Sequence, residues 1–157
     1  MLAVLEDQVD SVRFERLLDG SRGLPADDRV KMLERALALW RGSPLVDLRY
    51  ETFAQATIRR LEELHVWALE ELFGAKLELG AGRAVVPDLQ LLVELYPLRE
   101  RLRMHLMVAL YRSGRSAEAL LTYAGWRRTL SELWGIEPGR EIEQLEHDIR
   151  TRTPALT

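Results

Sequence analysis

Along most of this chain hydrophobic residues return every three or four positions, the period of a helix with one buried face. The clearest run is Tyr96–Leu130, YPLRERLRMHLMVALYRSGRSAEALLTYAGWRRTL. It opens on Pro97, whose missing N–H would be unpaired in a helical first turn, and is interrupted at Ser113-Gly114. Glycine enters the left-handed conformation without a Cβ penalty, so it suits the end of a helix. The pattern predicts two antiparallel helices joined by a tight turn. Shifting the chain by 34 residues lays Gly80 on Gly114, Leu72 on Leu106, Ala75 on Ala109, Leu77 on Tyr111 and Leu89 on Tyr123. The offset equals the tetratricopeptide period, so a repeat of helical hairpins is expected.

The remaining elements follow from the same periods. Met1–Leu5 reads as a scrap of strand or a loose arm. A short helix is expected from Asp10 to the stop at Asp19-Gly20, and a second over Ala26–Trp40, with Val30, Leu33, Leu37 and Trp40 on its apolar face. Arg41-Gly42-Ser43-Pro44 ends it, and Leu45–Tyr50 connects it to the next. Glu51–Leu79 keeps an unbroken helical pattern through Ala54, Ile58, Leu61, His65, Ala68, Leu72, Ala75 and Leu79. A second stripe, Val66, Leu69, Phe73 and Leu77, makes its later half apolar on two sides. The return helix Arg83–Leu95 tolerates Pro87 only in its first turn. Ser116–Trp134 carries Ala119, Tyr123, Trp126, Leu130 and Leu133 on one face, and Arg140–Thr151 is apolar only at Ile142, Leu145 and Ile149, as a terminal capping helix should be. The fold class expected is all-α, a tetratricopeptide-like array of antiparallel hairpins with about seven helices. The organisation expected is an arm over 1–9, a domain over 10–152 and a tail over 153–157.

Composition narrows the function classes. Hydrophobic residues make 47% and charged residues 30% of 157, an ordinary balance for a single globular domain. The absence of cysteine removes disulfides, thiolate metal sites and a thiol nucleophile. No basic leader and no apolar run near the ~20 residues of a membrane span are present, so the cytoplasm is the expected location. A net charge of −3 does not favour a surface that grips nucleic acid unaided.

No set of residues assembles convincing chemistry. Glu62-Glu63-Leu64-His65 holds one Glu-x-x-His pair, but a two-metal site needs a second pair, and neither His105 nor His147 supplies it. His65 is therefore placed at the edge of the buried stripe. Gly80-Ala81-Gly82-Arg83-Ala84-Val85 lacks the third glycine and preceding strand of a dinucleotide fingerprint. No catalytic residue, metal ligand or cofactor is expected. The densest basic stretch is Arg99, Arg101 and Arg103 with Arg112 and Arg115. It is read either as a solvated face alternating with Glu100 or as a patch that takes acidic side chains of a protein partner, which the arginine fork does well.

LWRGSPLVDL (Leu39–Leu48), YPLRERLRMHLMVALYRSGRSAEAL (Tyr96–Leu120) and GIEPGREIEQL (Gly135–Leu145) resemble the bacterial transcriptional activator domain of the Streptomyces antibiotic regulatory protein type. VDSVRFERLL (Val9–Leu18) is similar to the segment with which that domain usually begins, and Thr153-Pro154-Ala155-Leu156 to its usual end. The resemblance implies a tetratricopeptide-like fold and a role in transcription activation through contact with RNA polymerase machinery, core or sigma factor, and through self-association as a homodimer. It also implies a preceding winged-helix reader, of which Met1–Leu5 would be the last strand, so direct DNA binding is not expected of this domain alone. The family carries no catalytic residue to transfer. The alternative from another class is a standalone tetratricopeptide-like scaffold binding a peptide or small effector.

Overall fold

A computed structural model of the chain describes residues 2–40 and 52–152. Those residues form seven helices and no strand: α1 (Leu2–Ser21), α2 (Ala26–Ala38), α3 (Thr52–Glu78), α4 (Gly82–Leu95), α5 (Glu100–Arg112), α6 (Ser116–Trp134) and α7 (Arg140–Thr151). The expected stop at Arg41–Pro44, the connection Leu45–Tyr50 and the tail 153–157 lie outside the described residues. The fold divides into two compact units, Met1–Ala75 and Lys76–Thr157.

In the first unit α1 packs on α2. Phe14 and Leu18 of α1, Leu33 and Ala36 of α2, and Ala68 and Leu72 of α3 make its core. Half-buried aromatics plate this core. The Phe14 and Trp40 rings lie 5.6 Å apart, and Trp40 stacks on His65 with ring centres 4.2 Å apart. The Arg60 guanidinium donates to both oxygens of Glu15, at 2.5 and 2.8 Å. One expectation is corrected here. Leu2–Leu5 is helical, not strand or arm, because the helix starts eight residues before Asp10; Leu2, Ala3, Leu5 and Glu6 are all good helix formers. The expected apolar face holds: Leu33 and Ala36 are fully buried, and Val30, Leu37 and, just past the helix end, Trp40 are half-buried against the same core.

In the second unit α4 packs on α5, α5 on α6, and α7 on both α5 and α6. The two hairpin turns are alike to the atom. Gly80 (φ 83°) and Gly114 (φ 78°) are both left-handed. Gly80 N–H donates to Leu77 O and Ala81 N–H to Lys76 O, each at 3.0 Å; Gly114 N–H and Arg115 N–H do the same to Tyr111 O and Leu110 O at 2.9 Å. This pair of bonds closes a Schellman turn, which satisfies carbonyls that a helix end leaves open. Leu72, Leu106, Ala75, Ala109, Leu77, Leu89 and Tyr123 are buried as the 34-residue offset requires, and Tyr111 is half-buried.

Four positions in α3–α6 depart from expectation. Leu79 and Leu133 are 52% and 68% exposed, since each sits at a helix end where periodicity continues but the packing partner does not. Pro97 precedes α5 rather than opening it. It occupies the second position of a turn closed by Arg99 N–H to Tyr96 O at 3.0 Å, a place that its fixed φ suits. Pro87 lies beyond the first turn of α4. The helix continues because Pro87 and Arg83, whose carbonyl the missing N–H would have served, are on the exposed side, where water replaces the lost donor.

Candidate protein-interaction surface

The five arginines of the basic stretch divide into different environments. Arg99 is half-buried at the entry to α5 and Arg101 is exposed. Two residues further on, Arg103 points the other way, as positions two apart on a helix must. Its Nη2 donates to Val93 O in the last turn of α4 at 3.3 Å, and its guanidinium lies 5.4 Å from the centre of the Trp126 ring. Burial without a counter-charge pushes Arg103 down to about 10.

Arg112 and Arg115 serve the fold. Arg112 Nη1 donates to Leu77 O at 2.8 Å, a second donor to a carbonyl at the end of α3. Gly82 packs beside this arginine, where a Cβ would stand 3.4 Å from Arg112 Cβ. Arg115 forks onto Glu118 in the first turn of α6, at 2.8 and 2.7 Å. That hydrogen bond lowers the Glu118 carboxyl and raises the Arg115 guanidinium. The stretch is therefore not one patch; Arg99 and Arg101 are the pair placed at the start of α5.

Three features of this region carry weak sequence signals. Trp126 is buried, as its place on the apolar stripe suggests, but its indole N–H also donates to Pro97 O at 2.9 Å and so pins the turn before α5. The carboxylate of Glu100 accepts from Gly139 N–H at 3.1 and 3.3 Å, fastening the start of α7. Nothing local in the sequence predicts this bond; a Cβ at Gly139 would stand 2.6 Å from Glu100 Oε1, so the flexible end of that side chain would have to shift. Two open grooves complete the surface. One, of about 840 Å³, runs between α6 and α7 beside Leu121, Tyr123 and Arg128. The other, of about 680 Å³, is lined by α4, α5 and α6 and contains Arg103 and Trp126.

His65 shows no ligand geometry. Its stacking on Trp40 buries it, and desolvation lowers its pKa. Among the described residues no three His, Asp or Glu side chains gather as a metal site would require, and no helix is long and apolar enough to cross a membrane.

Antiparallel hairpins repeating at 34 residues, closed by a narrow-striped final helix, define a tetratricopeptide-like helical domain. The chain belongs to the bacterial transcriptional activator domain family, whose model matches residues 9–150. It is 38% identical over 151 residues to the transcriptional regulator RedD of Streptomyces coelicolor, covering 94% of this chain and 43% of RedD. It is 33% identical over 162 residues to the regulatory protein DnrI of Streptomyces peucetius, covering 99% of this chain and 59% of DnrI. Among solved structures, Mycobacterium tuberculosis EmbR in complex with a low-affinity phosphopeptide superposes with a TM-score of 0.86 at 32% identity, over 92% of this chain and 39% of EmbR. The chain thus spans roughly two-fifths to three-fifths of the length of these three relatives.

Proposed function

We propose that this domain is the protein-contact part of a transcription activator, engaging RNA polymerase machinery, core or sigma factor, and pairing with a second copy of itself. The observation that carries the reading is the family match over residues 9–150, which places the chain among regulators. The domain extends over residues 10–152, acts in the cytoplasm, has no catalytic role and leaves DNA reading to a different domain. A net charge of −3 supports the last point. Arg99 and Arg101 supply the basic contact at the start of α5. Arg112 donates to Leu77 O and Arg115 forks onto Glu118, both within the second unit.

The test is a pull-down of the domain against polymerase core, sigma factor and alpha subunit, with Arg99→Glu/Arg101→Glu as the control and sedimentation to report pairing. Capture of one subunit, lost in the double variant at unchanged helicity, is the expected result. A folded wild-type domain that captures none of them would move the reading to a scaffold for a peptide or small effector. The open groove beside Leu121 favours that alternative.

A further inference from the structure

Arg103 is half-buried, and among the described residues no acid pairs with it. Among the described residues its polar partners are Val93 O, through Nη2, and the face of Trp126. Its Nε is buried with no acceptor. A guanidinium carries five N–H donors, and here one is hydrogen-bonded. Withdrawing a cation from water without a counter-ion is costly, and an apolar side chain would fill the same space more cheaply. Yet the charge is not sealed in. It lines the groove of about 680 Å³ between α4 and α6, whose volume suits a segment of side chains rather than one ion.

The walls of that groove suit an extended chain. Leu121 stands 71% exposed on one side, and Trp126 and Pro97 form apolar floor. Gly125 borders open space in the middle, where a Cβ would meet nothing within 4 Å. Glu94 on α4 also lines the groove but forms no ion pair with Arg103.

We propose that this groove is an acid-specific peptide subsite, in which a Glu or Asp side chain of a partner segment takes the terminal nitrogens of Arg103 and a neighbouring apolar side chain covers Leu121. The inference rests on the reading of the domain as a protein-contact module and names the chemistry of the contact. The carboxylate supplies the missing counter-charge, and charge-assisted bonds to a desolvated guanidinium are the strong kind. Arginine is needed because it bonds in a planar fork while stacked on an indole, which lysine cannot do.

The probe is a blocked tripeptide, acetyl-Leu-Glu-Leu-amide, titrated into the full chain while the indole N–H resonance of Trp126 is followed by NMR. The expected result is a saturable shift that weakens about tenfold or more with the Leu-Gln-Leu peptide and with Arg103→Lys, and vanishes with Arg103→Met. Helicity of each variant, by circular dichroism, confirms folding. Equal binding of the Glu and Gln peptides, undiminished binding by folded Arg103→Met, or no saturable shift in the wild type would overturn the proposal. An equal response to acetate alone would also overturn it, as a site for free carboxylate. Failure of the tripeptide with the polymerase pull-down intact would sink this inference and leave the proposed function standing.

Discussion

The two units hold themselves together differently. The first has a core of aliphatic and aromatic volume, Phe14, Leu18, Leu33, Ala36, Ala68 and Leu72, faced by the stacked Trp40 and His65. Its side chains meet mainly by bulk, with the Arg60–Glu15 fork as a directed bond between α3 and α1, and among the described residues no repeated turn fixes them. The second unit has a comparable apolar interior, but its helices are also fastened at their ends by directed bonds. Arg112 reaches Leu77 O, Trp126 reaches Pro97 O, Glu100 reaches Gly139 N–H, and two identical glycine turns set the phase. Volume tolerates approximate placement, whereas a hydrogen bond does not. The second unit is therefore the part whose geometry its sequence specifies most tightly.

The largest effect should come from the first unit's volume. Leu33→Ala, at a fully buried position, is expected to cost about 2–5 kcal/mol in denaturant unfolding, the usual range for a core leucine. Trp40→Ala should fall at the low end of about 3–5 kcal/mol, because that ring is only half-buried. A loss near that of a surface change in both would remove the contrast between the units.

Next come the turns of the second unit. Gly80→Ala and Gly114→Ala meet open space, so each should cost only the left-handed backbone, about 1–2 kcal/mol, and the two should agree. Gly125→Ala meets equally open space within α6 at an ordinary helical φ and should stabilise, by about 1 kcal/mol. Thermal melts of the three variants check the opposite signs.

A smaller loss, about 1 kcal/mol, is expected for Trp126→Phe, which keeps most of the ring but gives up the bond to Pro97 O. Hydrogen exchange should quicken at the 96–99 turn and not in the first unit. Smallest is a pH effect. Burial lowers the His65 pKa, so the folded state favours the neutral ring. That contribution is present above the ordinary histidine pKa, about 6.5, and is lost as pH falls through the lower folded value. His65→Phe should keep the stacking and flatten the fall in stability below that pH, measured by urea unfolding across the acid range.

How much of this was legible follows the same division. The turns at Gly80 and Gly114, the bounds of α6 and α7, and the buried set Ile142, Leu145 and Ile149 follow from period and glycine placement alone. Leu79 and Leu133 do not, because periodicity reports which way a side chain points and not whether a neighbour extends that far. The apolar run Leu2–Leu5 resembles strand and helix equally, and only the continuation into α1 decides it. The basic stretch was visible as composition, but Arg101 and Arg103 lie two apart within α5, which a helix sends to opposite sides, while Arg99 precedes the helix. The bond from Gly139 to Glu100 spans 39 positions, so no local pattern could have predicted it.

The matching turns also limit how such a chain can change in length. Between Gly80 and Gly114 the backbone returns to the same bonds and the same left-handed φ, so the stretch behaves as an exchangeable cassette. Excising residues 80–113 would join Leu79 directly to Gly114 and leave every downstream helix in phase. Cutting one residue more or fewer would swing all that follows by about 100°, the rotation of a single helical step, and turn buried leucines to water. Lineages that lengthen or shorten this domain inside its hairpins should do so in whole cassettes, and ragged insertions should collect outside them.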